Sequence, residues 1–177
     1  TQFAQNVLHD ESSWQLMLQG ESDLAGLPDF VRAAARQAAA ERGLPGHAIT
    51  LSRSLVVPFL TFSERRDLRE AAWRAWTGRG EHEGEHDNRP LVREILALRA
   101  EQAQLLGFAC YADYSLSISM ARTRSAVMAL LDDVARRALA AVEPERQELL
   151  AEMRERGVTH ELEPWDWRWW AERVRQR

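Results

Sequence analysis

The chain has 177 residues and a formal net charge of −4, and hydrophobic residues make up 45% of it. This composition is typical of a globular domain and gives no reason to expect nucleic acid or a membrane as a partner, since no apolar run reaches the ~20 residues of a membrane span. The single cysteine, Cys110, excludes an internal disulfide and favours a reducing, cytoplasmic location.

The first predicted helix covers residues 28–42, because Pro28 opens an alanine-rich apolar face that ends at Gly43. Residues 47–62 are the only β-rich stretch and predict one or two short strands. Pro58 places such a strand at a sheet edge, because proline donates no hydrogen bond to a neighbouring strand.

Two further helices are predicted over residues 63–76 and 90–106. Ser63 is a suitable N-cap for the first of them, and Gly107 ends the second. The apolar face of the second helix consists of four residues at helical spacing: Leu91, Ile95, Leu98 and Leu105.

The apolar periodicity of residues 124–142 predicts a long helix near the end of the chain. Its buried face would consist of Val127, Leu130, Leu131, Val134 and Ala138. Pro144 either kinks this helix or begins a new one, and Pro164 opens a last helix. The predicted fold class is therefore mainly α, a single helical region over residues 1–177 with the one short β-rich segment near 47–62.

Residues 82–86 read His-Glu-Gly-Glu-His and match the H-E-x-x-H pattern of zinc peptidases. On a helix, two histidines four residues apart reach one Zn²⁺, and the glutamate acts as general base on the bound water. Three glycines within residues 78–84 oppose a helix, since each costs about 1 kcal/mol relative to alanine. A solvated acidic loop is therefore favoured, ahead of a fortuitous surface metal site and of a small zinc hydrolase that uses His82, Glu83 and His86.

Residues 165–170 contain four of the seven tryptophans. Each buries on the order of 200 Å², so a segment this rich in tryptophan needs a cover. A stacking platform for single-stranded nucleic acid or sugar, with Arg168 and Arg173 nearby, is one interpretation, which the negative net charge makes weak. The alternative is a packing element, covered either by this domain or by further chain. We expect the segment to pack against further chain and, in the absence of that chain, against a second copy in a dimer. The last residues resemble a helix that continues, so we expect an internal fragment of a longer protein.

Six short sequence segments, or blocks, follow one another along the chain in the same order as in one protein family. They are FAQNVL (3–8), DLAGLP (23–28), PFLTFS (58–63), RRDLRE (65–70), AWRAW (72–76) and EPWDW (163–167). Together they resemble the thimet oligopeptidase family of zinc metallopeptidases, and most closely its bacterial dipeptidyl carboxypeptidase (peptidyl-dipeptidase) branch. Each block is a weak match alone, and the set is specific.

The resemblance implies a large, two-lobed helical peptidase of the cytoplasm that hydrolyses short peptides and releases C-terminal dipeptides. It also implies that zinc is bound by the family's own H-E-x-x-H helix, beyond residues 163–167. We therefore expect no catalytic, cofactor-binding or metal residue in this chain, which would be inactive alone, and zinc only in the full-length protein. A dimer through the tryptophan-rich tail is a further expectation. The alternative to a peptidase segment is a stand-alone helical interaction module.

Overall fold

The computed structural model describes residues 1–177, which form eight α-helices, a 3-10 helix at Glu21–Leu24 and one two-stranded sheet. The helices are α1 (Gln2–Ser13), α2 (Asp29–Glu41), α3 (Arg53–Phe62), α4 (Arg66–Thr77), α5 (Asn88–Leu105), α6 (Tyr111–Ser117), α7 (Arg124–Glu155) and α8 (Trp167–Arg175). Strand β1 (Leu16–Leu18) pairs antiparallel with β2 (His47–Ile49), with Met17 opposite Ala48. The predicted mainly α fold class is confirmed.

The chain divides into two compact units. The first consists of residues 1–87 and 148–177, and the second of residues 88–147. No helix in the chain combines the length and the apolar character that a membrane span requires. All seven tryptophans belong to the first unit, so their fluorescence reports on that unit alone.

The core of the first unit forms where α2, α3 and the sheet pack together. The predicted helix over residues 28–42 is confirmed as α2, in which Val31, Ala35 and Ala39 repeat every four residues and are buried. The small alanine side chains allow close packing against β2, where Ile49 is fully buried. Gly43 then ends the helix with a φ of +68°, a conformation that glycine adopts without strain.

The β-rich prediction for residues 47–62 was correct only at its start. Residues 47–49 form β2, whereas residues 53–62 form α3 with Pro58 inside it. In α3, four residues at helical spacing are buried: Leu55, Val56, Phe59 and Leu60. Burial of that face outweighs the β propensity of the valines and the hydrogen bond that proline cannot donate.

The second unit differs from the prediction in which side chains it buries. Helix α7 is continuous through Pro144, but the face expected to be buried is largely solvent-exposed. Leu130, Leu131 and Val134 are 65%, 54% and 54% exposed, Ala138 is also exposed, and Val127 is half-buried. On α5, Leu91 and Ile95 are half-buried, whereas Leu98 and Leu105 are exposed. Periodicity identified the apolar faces correctly, but it carries no information about what covers them.

The boundaries of α4 and α8 also differ from the prediction. Ser63 ends α3 through the hydrogen bond from its amide to Phe59, and α4 begins at Arg66. Helix α8 begins at Trp167 instead of Pro164, because residues 163–166 form a turn. In that turn the Asp166 amide donates to the Glu163 carbonyl at 2.9 Å.

A buried ion cluster, the Asp166 clamp, joins this C-terminal segment to α4. It consists of Asp166, Arg66 and Arg69, and the Asp166 carboxylate is fully buried. Arg66 donates to both carboxylate oxygens at 2.9–3.1 Å, and Arg69 Nη2 donates to Oδ1 at 2.8 Å. Because Arg66 and Arg69 are three residues apart on α4, both guanidinium groups lie on one helix face.

Arg69 also connects the clamp to the end of α3. Its Nη1 donates to the Ser63 carbonyl at 2.8 Å, and its Nε donates to the Trp165 carbonyl at 3.2 Å. Burial lowers the pKa of the Arg69 guanidinium, while the hydrogen bond to Asp166 raises it again. The side chain remains charged at neutral pH, so removal of Asp166 would leave a buried cation without its counterion.

We expect Asp166→Ala to lower the free energy of unfolding by about 3 kcal/mol, because breaking a buried ion pair leaves an uncompensated charge. Urea denaturation followed by tryptophan fluorescence measures this in the first unit. The matched control is Asp67→Ala on α4, the helix that carries both arginines of the clamp, where the carboxylate is 62% exposed and pairs with Arg65. That control should cost less than about 1 kcal/mol. Equal losses in the two variants would contradict a structural role for the clamp.

Candidate functional site

The histidine-containing loop lies between α4 and α5 and is not helical. Gly80 and Gly84 have φ values of +76° and +123°, which interrupt any helical run through residues 82–86. Glu83 and Glu85 are exposed to solvent. The i,i+4 alignment that a zinc helix gives to its two histidines is therefore absent.

The two histidines of this loop have different partners on α1. His82 Nε2 lies 3.6 Å from Asp10 Oδ2, and that oxygen also accepts a hydrogen bond from the Gly80 amide at 2.7 Å. The His86 ring stacks on His9 with centroids 3.7 Å apart. These contacts attach the loop to α1.

No group of three histidine, cysteine, aspartate or glutamate side chains in the chain is arranged to hold a metal ion. The residues of the loop therefore do not fit a catalytic zinc ion, which requires three protein ligands and one open position. The structure favours the interpretation of residues 82–86 as a solvated acidic loop.

A second candidate site is a cavity of about 550 Å³ between α3, α4 and α8, which we call the tryptophan cavity. Its walls include the indole rings of Trp73, Trp76, Trp165 and Trp167. Trp73 and Trp76 are three residues apart and lie on the same face of α4, while the other two rings come from the C-terminal segment that the Asp166 clamp holds. The volume is within the range of roughly 300–1,000 Å³ that ligand pockets have.

Charged side chains at this cavity are nearly all paired. Glu172 is buried and accepts hydrogen bonds from Arg175 at 2.6 and 2.8 Å. Those hydrogen bonds lower the pKa of the Glu172 carboxyl, so it is ionised and neutralised by its partner at neutral pH. Arg168, by contrast, lines the cavity, is exposed, and forms no ion pair or hydrogen bond.

The tryptophan-rich tail packs on its own chain. Trp165 and Trp170 are 8% and 3% exposed, and Trp167 and Trp169 are half-buried. Arginine side chains lie over two of the rings, with Arg74 4.9 Å from the Trp165 centroid and Arg173 4.3 Å from that of Trp169. The interpretation as a packing element therefore has support, while the dimer stays a prediction.

Arg66, Arg69 and Asp166 were not predicted as site residues from the sequence. Two signals for them were present, since both arginines fall in the RRDLRE block and the aspartate in the EPWDW block. Nothing in the sequence joined the two blocks, because about a hundred residues separate them. Only the fold brings them into contact.

We expect a Zn²⁺ titration of the chain to show no saturable, stoichiometric binding at micromolar concentrations, because no group of three possible ligands is arranged to hold a metal ion. Isothermal titration calorimetry measures this directly. Stoichiometric binding that His86→Ala abolishes would contradict the geometry, provided that His160→Ala, at an exposed histidine outside the loop, leaves the binding unchanged.

The chain is similar to known proteins of one family. The profile of Peptidase family M3 matches residues 59–177, which is more than half of the chain. Oligopeptidase A of Haemophilus influenzae is 40% identical over 181 residues, covering 99% of this chain and 26% of that protein. Oligopeptidase A of Escherichia coli is 37% identical over 179 residues, with the same coverage.

A third relative, the dipeptidyl carboxypeptidase of Escherichia coli, is 30% identical over 177 residues, again covering 99% of this chain and 26% of that protein. The chain thus spans about a quarter of the length of the curated relatives that it matches. The predicted resemblance to the thimet oligopeptidase family is confirmed: the chain belongs to peptidase family M3.

Proposed function

We propose that the full-length protein is a zinc-dependent oligopeptidase that hydrolyses short peptides. The observation that supports this most is the match of Peptidase family M3 to residues 59–177. The relatives named Oligopeptidase A align with nearly the whole of this chain, so the likeness does not depend on a single motif.

Within that protein, we propose that residues 1–177 form a non-catalytic helical segment and that the catalytic zinc ligands lie outside it. The geometry of residues 82–86 supports this, because the two histidines are in a loop and contact α1. The resemblance to the thimet oligopeptidase family implies that the zinc-binding helix follows the EPWDW block in the sequence. The contribution of this segment is then structural, through the helices that the Asp166 clamp joins.

A finer proposal is that the full-length protein releases dipeptides from peptide C-termini. The 30% identity to dipeptidyl carboxypeptidase supports it. The higher identities of 40% and 37% belong to relatives named Oligopeptidase A, which favours cleavage within peptides as the competing specificity. We also propose a cytoplasmic location, on the basis of the single unpaired cysteine.

The second candidate function is a helical interaction module without catalysis. The exposed apolar face of α7 favours it, since Leu130, Leu131 and Val134 are each more than half exposed. Apolar side chains grouped in this way commonly mark an interaction surface. A dimer through the tryptophan-rich tail belongs to the same class of proposals, and sedimentation equilibrium of the purified chain tests it.

We expect the purified 177-residue chain to hydrolyse no short peptide, with or without added Zn²⁺, because it has no cluster of metal ligands. The full-length protein should hydrolyse the same peptide and lose that activity on chelation. Liquid chromatography of an internally quenched peptide measures both. Chelator-sensitive cleavage by the chain alone would refute the non-catalytic assignment, and an inactive full-length protein would favour the interaction module.

The finer specificity predicts that the full-length protein removes dipeptides from a peptide with a free C-terminal carboxylate and cleaves the matching C-terminal amide much more slowly. Mass spectrometry of the products distinguishes the two specificities. Equal rates on the acid and the amide, with cuts inside the peptide, would instead assign the specificity that the Oligopeptidase A relatives favour.

A further inference from the structure

The second unit leaves one apolar helix face largely exposed. On α7, six large apolar side chains are each more than two-fifths exposed: Met128, Leu130, Leu131, Val134, Leu139 and Val142. Together with Ala135 and Ala138 they recur at intervals of three or four residues, so they lie on one side of the helix. An exposed apolar face of this kind commonly marks an interaction surface.

The sequence of this face is symmetric about a midpoint between Val134 and Ala135. Outward from it, apolar residues match apolar residues: Leu131 and Ala138, Leu130 and Leu139, Ala129 and Ala140, Met128 and Ala141, Val127 and Val142. The aspartates at 132–133 match the arginines at 136–137. A two-fold interface needs such self-complementarity, because residue i of each copy contacts residue j of the other. A face covered by an unrelated segment gains nothing from this symmetry, so the pattern indicates a second copy of α7 as the occupant.

The charged residues beside the apolar face fix the orientation of such a pair. Asp132 and Arg136 are four residues apart and lie on one side of the face, and Asp133 and Arg137 lie on the other. In an antiparallel two-fold pair, each side lies against the same side of the second copy, so an aspartate meets an arginine on both sides. A parallel pair would bring like charges together, which is unfavourable.

The ion pairs within the chain leave one of these carboxylates without a partner. Asp133 accepts hydrogen bonds from Arg136 at 3.4 Å and from Arg137 at 2.9 Å. Asp132 is exposed, and its carboxylate forms no ion pair or hydrogen bond in the chain. The antiparallel pair supplies the missing partner, since it places Arg136 of the second copy beside Asp132. Exposed ion pairs contribute little affinity, so their effect is to select the orientation.

We propose that two copies of the protein associate through α7, with the apolar faces packed antiparallel about a two-fold axis between Val134 and Ala135. Burial of the apolar side chains stabilises the pair, and the aspartates and arginines select its orientation. The proposal goes beyond the proposed function and does not depend on it, because it concerns binding between copies and no turnover. It also differs from a dimer through the tryptophan-rich tail, which belongs to the first unit.

Sedimentation equilibrium of the 177-residue chain tests the proposal, and we expect a dimer whose fraction rises with concentration. Val134→Gln, at the centre of the face, should weaken the association about tenfold, because it places a polar amide between the packed apolar side chains. The matched control is Leu105→Gln on α5, at an exposed leucine outside this face, which should leave the dimer unchanged. Circular dichroism verifies that both variants keep their helices.

Two charge variants make the test specific for this pairing. One combines Asp132→Arg with Asp133→Arg, and the other combines Arg136→Asp with Arg137→Asp. Each variant should self-associate about tenfold more weakly than the unmodified chain, because both sides of the face then carry a single sign of charge. An equimolar mixture of the two should form a heterodimer about as tightly as the unmodified chain forms its dimer. If either variant fails to fold, Val134→Gln and its control decide.

Four results would overturn the proposal: a chain that stays monomeric at all concentrations, a dimer that Val134→Gln leaves intact, folded charge variants that associate no better mixed than apart, or a monomeric full-length protein. The second result would assign the dimer to another surface, such as the tryptophan-rich tail. The last would assign the face of α7 to the remaining chain of the full-length protein. Because no turnover is measured, none of these results affects the peptidase proposal.

Discussion

The arrangement of the first unit depends on one buried carboxylate. Asp166 has no contact with solvent and is surrounded by Arg66 and Arg69. A buried ion is tolerated only when its partners are close and well oriented, so the position of this one carboxylate restricts where three chain segments can lie. Through the second hydrogen bonds of Arg69, the end of α3, the first turn of α4 and the turn before α8 are held together.

Three of the six family blocks supply the residues of this cluster. PFLTFS ends at the serine whose carbonyl accepts from Arg69, RRDLRE supplies both arginines, and EPWDW supplies the aspartate and the indole beside it. Two neighbouring blocks and a third that lies about a hundred residues further along the chain thus meet at one site. The same cluster positions the C-terminal rings that, with those of α4, form the walls of the tryptophan cavity. Stability of the segment and the shape of its cavity therefore have a common origin.

The predictions from the sequence were correct where a local pattern of residues is enough to determine the local structure. Alanine-rich periodicity and a terminal glycine predicted α2, and glycines in residues 78–84 predicted that the H-E-x-x-H match would not be helical. It failed at α3, where valines and a proline favour a strand locally but burial of Phe59 and Leu60 determines a helix. It failed again on α7, where an apolar stripe was taken to be buried although Leu130 and Val134 are exposed.

The sequence by itself determined the mainly α class, the family and the absence of a helical zinc motif, because periodicity, short blocks and helix-breaking glycines are local properties of the chain. Only the tertiary structure decided which apolar faces are covered, that the tail packs on its own chain, and that Asp166 lies between Arg66 and Arg69. The last of these depends on contacts between residues about a hundred positions apart. Their energies come from burial and from buried charge, neither of which can be read from neighbours in the sequence.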